Sequence, residues 1–120
     1  MKTTCDADVR MLPGGAAIVL SGEIDGHAAD VLTGAYERAV TVGDPATVVL
    51  DFASVQYINS TGIALIVSVL ARARSQRRTV VASGLSEHYR EIFDITRLSD
   101  FIELFPSLDG AMSRLTQATG

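Results

Sequence analysis

Thr47 to Phe52 reads TVVLDF, an unbroken β-branched and apolar run with no alternation. A strand exposed on one face would alternate apolar and polar residues, so this run belongs at the centre of a sheet covered on both sides. That is the signature of a parallel sheet with crossover helices. The stretch that follows, QYINSTGIAL (Gln56–Leu65), sets a polar knot, Asn59-Ser60-Thr61-Gly62, between this run and a second apolar segment. Ala53 to Ile58 is expected to be the connection. Helical spacing returns from Thr61 to Ser75, with Ile63, Ile66, Val67 and Leu70 as the expected core stripe.

The rest of the chain fits around that unit. Pro13-Gly14-Gly15 is a turn between extended segments at about Cys5–Leu12 and Ala16–Ile24, which predicts an edge hairpin. Asp25-Gly26 ends the second strand. Ala28, Val31, Leu32, Ala35, Tyr36, Ala39 and Val40 then recur at i, i+3, i+4, i+7, which predicts a helix. Gly34 weakens that helix by about 1 kcal/mol relative to Ala and is expected to mark a close neighbour. Gly43-Asp44-Pro45 should end it, with Gly in the left-handed cap. Thr79–Ala82 is a short strand. Ser86 is the expected cap of a third helix that faces Tyr89, Ile92 and Phe93 inward. Phe101–Phe105 is a last strand, and a final helix begins at Pro106-Ser107 and packs through Leu108, Ala111, Met112 and Leu115. The order β-β-α-β-α-β-α-β-α predicts a single α/β domain over residues 1–120, core about 5–116, with a mixed, mostly parallel sheet of about five strands and about four helices. Thr116 to Gly120 should fray.

Composition narrows the function classes. In 120 residues, 48% hydrophobic, there are seven aromatics and no Trp, and the formal charge is −4. Neither a stacking platform nor a basic face for nucleic acid is present. The lone Cys5 allows no internal disulfide and lacks a metal-ligand set, which points to a reducing, cytoplasmic setting without metal. The N-terminus has no apolar core for a signal peptide, and no run is long enough to enter a bilayer.

Ser60 stands where a central strand hands over to a buried helix. Its hydroxyl suits an N-cap. Yet Ser60 and Thr61 offer two hydroxyls where one cap suffices, and Gly62 removes a side chain from the first turn, so an open set of backbone N–H groups is expected there. Such a helix end attracts anions. A phosphate on Ser60, or alternatively Thr61, would be well received by the helix, and its charge of roughly −1.5 to −2 would act outward on a docked partner. Thr61, Leu65, Ser68 and Arg72 share the helix face opposite the expected core stripe, with Leu65 as an exposed anchor. Asp25 and His27 sit at the mouth of the first helix as a cap and a surface imidazole. His88 is expected on a helix surface, and Arg72, Arg74, Arg77 and Arg78 as a solvated helix end. Enzyme motifs are missing: Ile58-Asn59-Ser60-Thr61-Gly62 lacks the first glycine of a nucleophile elbow, no Walker loop or dinucleotide fingerprint occurs, and His27 and His88 have no supporting triad motif.

These residues resemble the STAS domain of bacterial anti-sigma factor antagonists. The matches are Leu50-Asp51-Phe52, Val55, Tyr57-Ile58 and Ser60-Thr61-Gly62-Ile63, with Leu20-Ser21-Gly22-Glu23-Ile24-Asp25 resembling the family's Gly-Glu-[Leu/Ile]-Asp segment. The region LSEHYREIFDITRLSDFIELFPSLDGAM supports the same likeness. The resemblance implies a partner switch in transcription regulation. The unphosphorylated protein binds an anti-sigma factor, commonly a serine kinase of the histidine-kinase-like ATPase fold, and frees a sigma factor. Phosphorylation of Ser60 ends the binding. The kinase brings the ATP, so no cofactor is implied. The docking face would comprise Asp25, His27, Asn59, Ser60, Thr61, Gly62, Leu65, Ser68 and Arg72, and a weak homodimer is compatible with it. The family often carries Asp where this chain has Asn59. Asn spares a phosphate the repulsion of a carboxylate but removes a charge that a kinase could contact. The departure leaves room for an unphosphorylated STAS subunit of a larger assembly, such as a lipid-transport ABC complex or a stress-signalling scaffold.

Overall fold

A computed structural model of the chain describes residues 4–118; residues 119–120, the end of the expected fraying tail, lie outside the described range, as do residues 1–3. The elements run β1 (Asp6–Leu12), β2 (Gly15–Ile24), α1 (Ala29–Gly43), β3 (Thr47–Ile58), α2 (Ser60–Ser75), β4 (Thr79–Ser83), α3 (Glu87–Ile95), β5 (Glu103–Phe105) and α4 (Leu108–Ala118), with short 3-10 turns at Gly26–Ala28 and Leu98–Asp100. The sheet order is β1-β2-β3-β4-β5. Only β1 is antiparallel to its neighbour; the β2–β3, β3–β4 and β4–β5 pairs are parallel. The expected mixed sheet of five strands with four helices is therefore what forms.

Strand alternation sorts the core onto two faces. Ile18, Leu20, Val48, Leu50, Phe52, Val80 and Ala82 point to one face and are packed with α1, α2 and α3 through Leu32, Tyr36, Ile66, Val69 and Phe93. Ala17, Val49 and Val81 point to the other, under Ala111 and Leu115 of α4. Both sides of β3 are covered, which is why TVVLDF shows no alternation. Thr116 to Ala118 continue α4 instead of fraying.

Further expectations need correction. First, Ala53–Ile58 is not a connection but the second half of β3, still paired with β2. From Val19↔Asp51 to Ile24↔Ile58, β3 uses two more residues than β2, at register breaks after Val19 and after Gly22. These bulges break the period-two pattern that would have marked a strand. Gly22, at φ 85°, supplies a backbone conformation that other residues adopt only with strain. Second, α2 is rotated from the expected stripe. Gly62, Ile66, Val69 and Ala73 face the sheet, and Val67 is 43% exposed. The small residues at both ends of that line let the helix lie close to the strands. Third, the left-handed cap of α1 falls on Asp44, at φ 44°. Gly43 stays helical, with the Met11 methyl packed in the space a Cβ would take. Asp44 is held by Arg78 at 2.8 Å, and Arg78 also donates to the Pro45 carbonyl at 2.6 Å. The basic end of α2 is accordingly tied down: Arg72 meets Glu37 at 3.1 Å, and Arg74 lies 5.4 Å over the Phe101 ring. Fourth, β5 is shorter than expected, because Leu98–Asp100 turns the chain before it.

Gly34 has no close neighbour either. A Cβ there would meet only the flexible Arg38 guanidinium at 3.6 Å. Gly34→Ala is expected to stabilise the domain by about 0.5–1 kcal/mol by restoring helix propensity, read as a higher urea midpoint with an unchanged slope; an unchanged or lower midpoint contradicts the packing described.

Candidate functional site

The candidate site is built where the C-terminal ends of β2 and β3 meet the start of α2. Asn59, not Ser60, is the N-cap: its extended backbone (φ −92°, ψ −178°) places the side-chain oxygen to accept the Gly62 N–H at 2.8 Å. Its carbonyl accepts the Ile63 N–H at 2.9 Å, and its own N–H donates to the Ile24 carbonyl at 3.2 Å. The capping expected of Ser60 is thus already done. Ser60 occupies the first helical position with an exposed side chain, and Thr61 beside it is exposed too. The N–H groups of Ser60 and Thr61 have no partner within the helix, as geometry requires of a first turn.

Gly62 does not open a pocket. It is buried, and a Cβ there would run into the Ile24 carbonyl and lie 3.0 Å from Ile58 Cγ2. The glycine lets the helix start press onto the end of β2. The same approach brings the Asp25–Ala28 turn alongside: a Cβ on Gly26 would sit 3.5 Å from the Thr61 methyl. Asp25 accepts the His27 N–H at 2.9 Å, and the imidazole stands 87% exposed with Nδ1 3.6 Å from the Asp25 carboxylate. Asp25, His27, Asn59, Ser60 and Thr61 therefore share one end of the molecule. Cys5 is close to the same turn. Burial first, then the carboxylates of Asp6 and Asp25, push its thiol above the ordinary range, so it remains a protonated, poorly nucleophilic group.

Leu65, Ser68 and Arg72 lie elsewhere. They flank a groove of about 160 Å³ between α2 and α1, opposite Leu32, Thr33 and Tyr36. Leu65 is half-buried against the core, contrary to the exposed anchor expected, because α1 covers that flank of α2. Arg72 bridges to Glu37 and stacks 5.3 Å over the Tyr36 ring.

Two residues outside the expected set shape the site. Tyr57, 51% exposed, projects from the bulged end of β3 opposite Glu23; its aromatic character was the available signal. Tyr89 is buried in α3, and its hydroxyl accepts the Ile58 N–H at 2.8 Å. Beyond Asp51, β3 has no β4 partner, so Tyr89 satisfies a donor on an edge the sheet leaves open. Nothing in the spacing of Tyr89 distinguishes this from plain core packing. Where the β3–β4 pairing stops, the buried Asp51 carboxylate accepts the Ser83 hydroxyl at 2.9 Å and joins the middle of β3 to the end of β4. Among the described residues no group of His, Cys, Asp and Glu could hold a metal ion, and no helix is long and apolar enough to cross a membrane.

Both supports of the Ser60 turn can be tested. Tyr89→Phe removes the acceptor of a buried N–H, and Gly62→Ala forces the helix from the Ile24 carbonyl; each is expected to cost about 1–3 kcal/mol. Hydrogen exchange should quicken first at Ile58 and Asn59. Wild-type exchange at those amides in both variants would refute the clamp.

The chain matches the STAS domain over residues 6–111. It is 32% identical to the anti-sigma-B factor antagonist of Listeria monocytogenes, over 80% of this chain and 82% of that protein. With the anti-sigma-B factor antagonist of Bacillus subtilis the identity is 28%, over 89% and 96% of the two chains. The crystal structure of an anti-sigma factor antagonist from Mycobacterium paratuberculosis superposes with a TM-score of 0.75 at 25% identity, covering 94% of this chain and 95% of that one. The bulged strand, the Asn-capped turn and the serine at the helix start thus occur in a chain that belongs to the STAS domain family.

Proposed function

We propose that this protein is an anti-sigma factor antagonist that docks through the end of the molecule around Ser60 and is released when Ser60 is phosphorylated. The observation that carries the reading is the division of labour at the start of α2. Asn59 holds the cap, so the exposed Ser60 hydroxyl has no structural duty there. Serine at the first helical position can accept the γ-phosphoryl group of ATP, with ADP and a proton released. The dianion then lies next to the unpaired N–H groups of Ser60 and Thr61 at the positive end of the dipole. The helix tolerates it, and the new charge is felt by whatever is docked.

The partner is an anti-sigma factor acting as a serine kinase with a histidine-kinase-like ATPase fold, met in the cytoplasm. Tyr57, His27, Ser60 and Thr61 form the contact surface, with Tyr57 as its aromatic anchor. Ser60 is preferred to Thr61 as acceptor because the Thr61 methyl is packed toward Gly26. Gly62 is buried and acts only by setting the helix position, while Leu65, Ser68 and Arg72 flank the α1 groove and extend the surface at most through the exposed Ser68.

The decisive measurement is the intact mass after incubation with the cognate kinase and ATP. One phosphate is expected on the wild type and none on Ser60→Ala. Ser60→Asp is expected to weaken kinase binding by at least about tenfold, or roughly 1.4 kcal/mol, while Ser60→Ala stays bound. Wild type left unmodified, with Ser60→Asp binding normally, would favour a STAS subunit of a larger assembly instead.

Asn59 gives a separate test. Only its side-chain oxygen serves the cap, and Asp offers the same acceptor. Asn59→Asp should match or slightly exceed wild-type stability, whereas Asn59→Ala should lose about 1 kcal/mol in denaturant titration.

A further inference from the structure

Among the described residues β1 is an edge strand whose only neighbour is β2. Its register is unbroken from Asp6↔Ser21 to Leu12↔Gly15. Edge strands are commonly protected by a bulge, an internal proline or charged side chains, lysine above all; Asp6–Leu12, DADVRML, has no bulge, proline or lysine, and its charges, Asp6, Asp8 and Arg10, are of both signs. The opposite edge, β5, is only three residues long.

The hairpin fixes which groups the free edge offers. Pro13-Gly14 is a two-residue loop, so Leu12 and Gly15 form its hydrogen-bonded closing pair. Backbone direction alternates along an antiparallel strand. Asp6, Asp8, Arg10 and Leu12 therefore bond to β2, and Ala7, Val9 and Met11 turn their N–H and C=O groups outward. On the side-chain level Asp6, Asp8 and Arg10 share one face, where the Arg10 Nε meets an Asp8 oxygen at 3.2 Å. Met11 is 45% exposed on the other face and touches Gly43, next to Val42, which is 74% exposed.

We propose that the β1 edge binds a second copy of this chain, antiparallel about a twofold axis at Val9, to make one continuous sheet. In that register Val9 exchanges both backbone hydrogen bonds with its own copy, and Ala7 does so with Met11. Asp8 of each copy then lies directly opposite Arg10 of the other, in the close non-hydrogen-bonded pairs where side chains interact most strongly. Sliding the strands by two residues one way sets Asp8 against its own copy; sliding the other way sets Arg10 against its own copy. A slide of one residue points the outward N–H groups at inward-bonded partners. Charge and hydrogen-bond parity thus select the same register. The exposed Met11 and Val42 extend the contact on the α1 side.

The proposal is independent of the Ser60 reading, since neither Asp8 nor Arg10 belongs to that surface. It is tested with the full chain by light scattering after size exclusion over a range of concentrations. Wild type should pass from monomer to dimer as concentration rises. Asp8→Arg and Arg10→Asp each oppose like charges twice, so each should weaken dimerisation about tenfold or more, with circular dichroism confirming the fold. Mixed together, the two variants bring arginine at both positions of one chain against aspartate at both positions of the other, and a heterodimer should form more tightly than either variant alone. Monomeric wild type at millimolar concentration, single variants that dimerise like wild type, or a mixture no more associated than its components would each overturn the proposal.

Discussion

The carbonyl of Ile24 is the point on which the Ser60 end of the molecule depends. It ends β2, accepts the Asn59 N–H at 3.2 Å, and leaves no room for a side chain at Gly62. One oxygen thereby fixes the end of one strand, the exit of the next and the height of a helix above both. A carbonyl so placed can accept a hydrogen bond only if the approaching helix presents bare backbone, and glycine alone does so. The sequence Asn-Ser-Thr-Gly is polar between buried segments for this reason: the turn is a backbone contact with its own cap, and apolar side chains would hold the layers apart.

The bulges in β3 serve the same end. With two residues more than β2 over the paired segment, β3 outruns β4 and carries Tyr57 and Ser60 past the body of the sheet. That overhang would leave donors unmet on the β4 side. The Tyr89 hydroxyl, reaching from α3 to the Ile58 N–H at 2.8 Å, meets one of them. Packing of α3 is in this way coupled to the backbone that precedes Ser60, so a change in either is transmitted to the other without any moving loop.

The sheet, the helix order and the place of the Asn-Ser-Thr-Gly turn between a strand and a helix were legible because they are written in runs and periods. TVVLDF has too many buried residues for any exposed strand, and the α1 stripe from Ala28 to Val40 matches the buried Leu32, Ala35, Tyr36 and Ala39. What escaped was set by relations between distant residues. The strand character of Ala53–Ile58 is hidden by bulges that exist only against β2. The rotation of α2 is undecidable from its own sequence, since Ile63-Ile66-Val67-Leu70 and Gly62-Ile66-Val69-Ala73 both have helical spacing; the approach of Gly62 to Ile24 chooses between them. The left-handed cap falls on Asp44, whose carboxylate is held by Arg78, more than thirty residues away in sequence.

The cap itself explains how Asn59 works at this turn without a charge. The Gly62 N–H needs one acceptor, and the Asn59 side-chain oxygen at 2.8 Å supplies it without charge. An aspartate would supply the same bond and gain somewhat from the dipole, but it would place a fixed negative charge one residue from Ser60. The unpaired N–H groups of Ser60 and Thr61 would then be shared between a carboxylate and any phosphate added later. With Asn59 the positive end of α2 is left undivided, and it favours an anion at Ser60 more strongly than an aspartate cap would. Asn59 therefore preserves the architecture of the turn while adding no carboxylate to the positive end of α2.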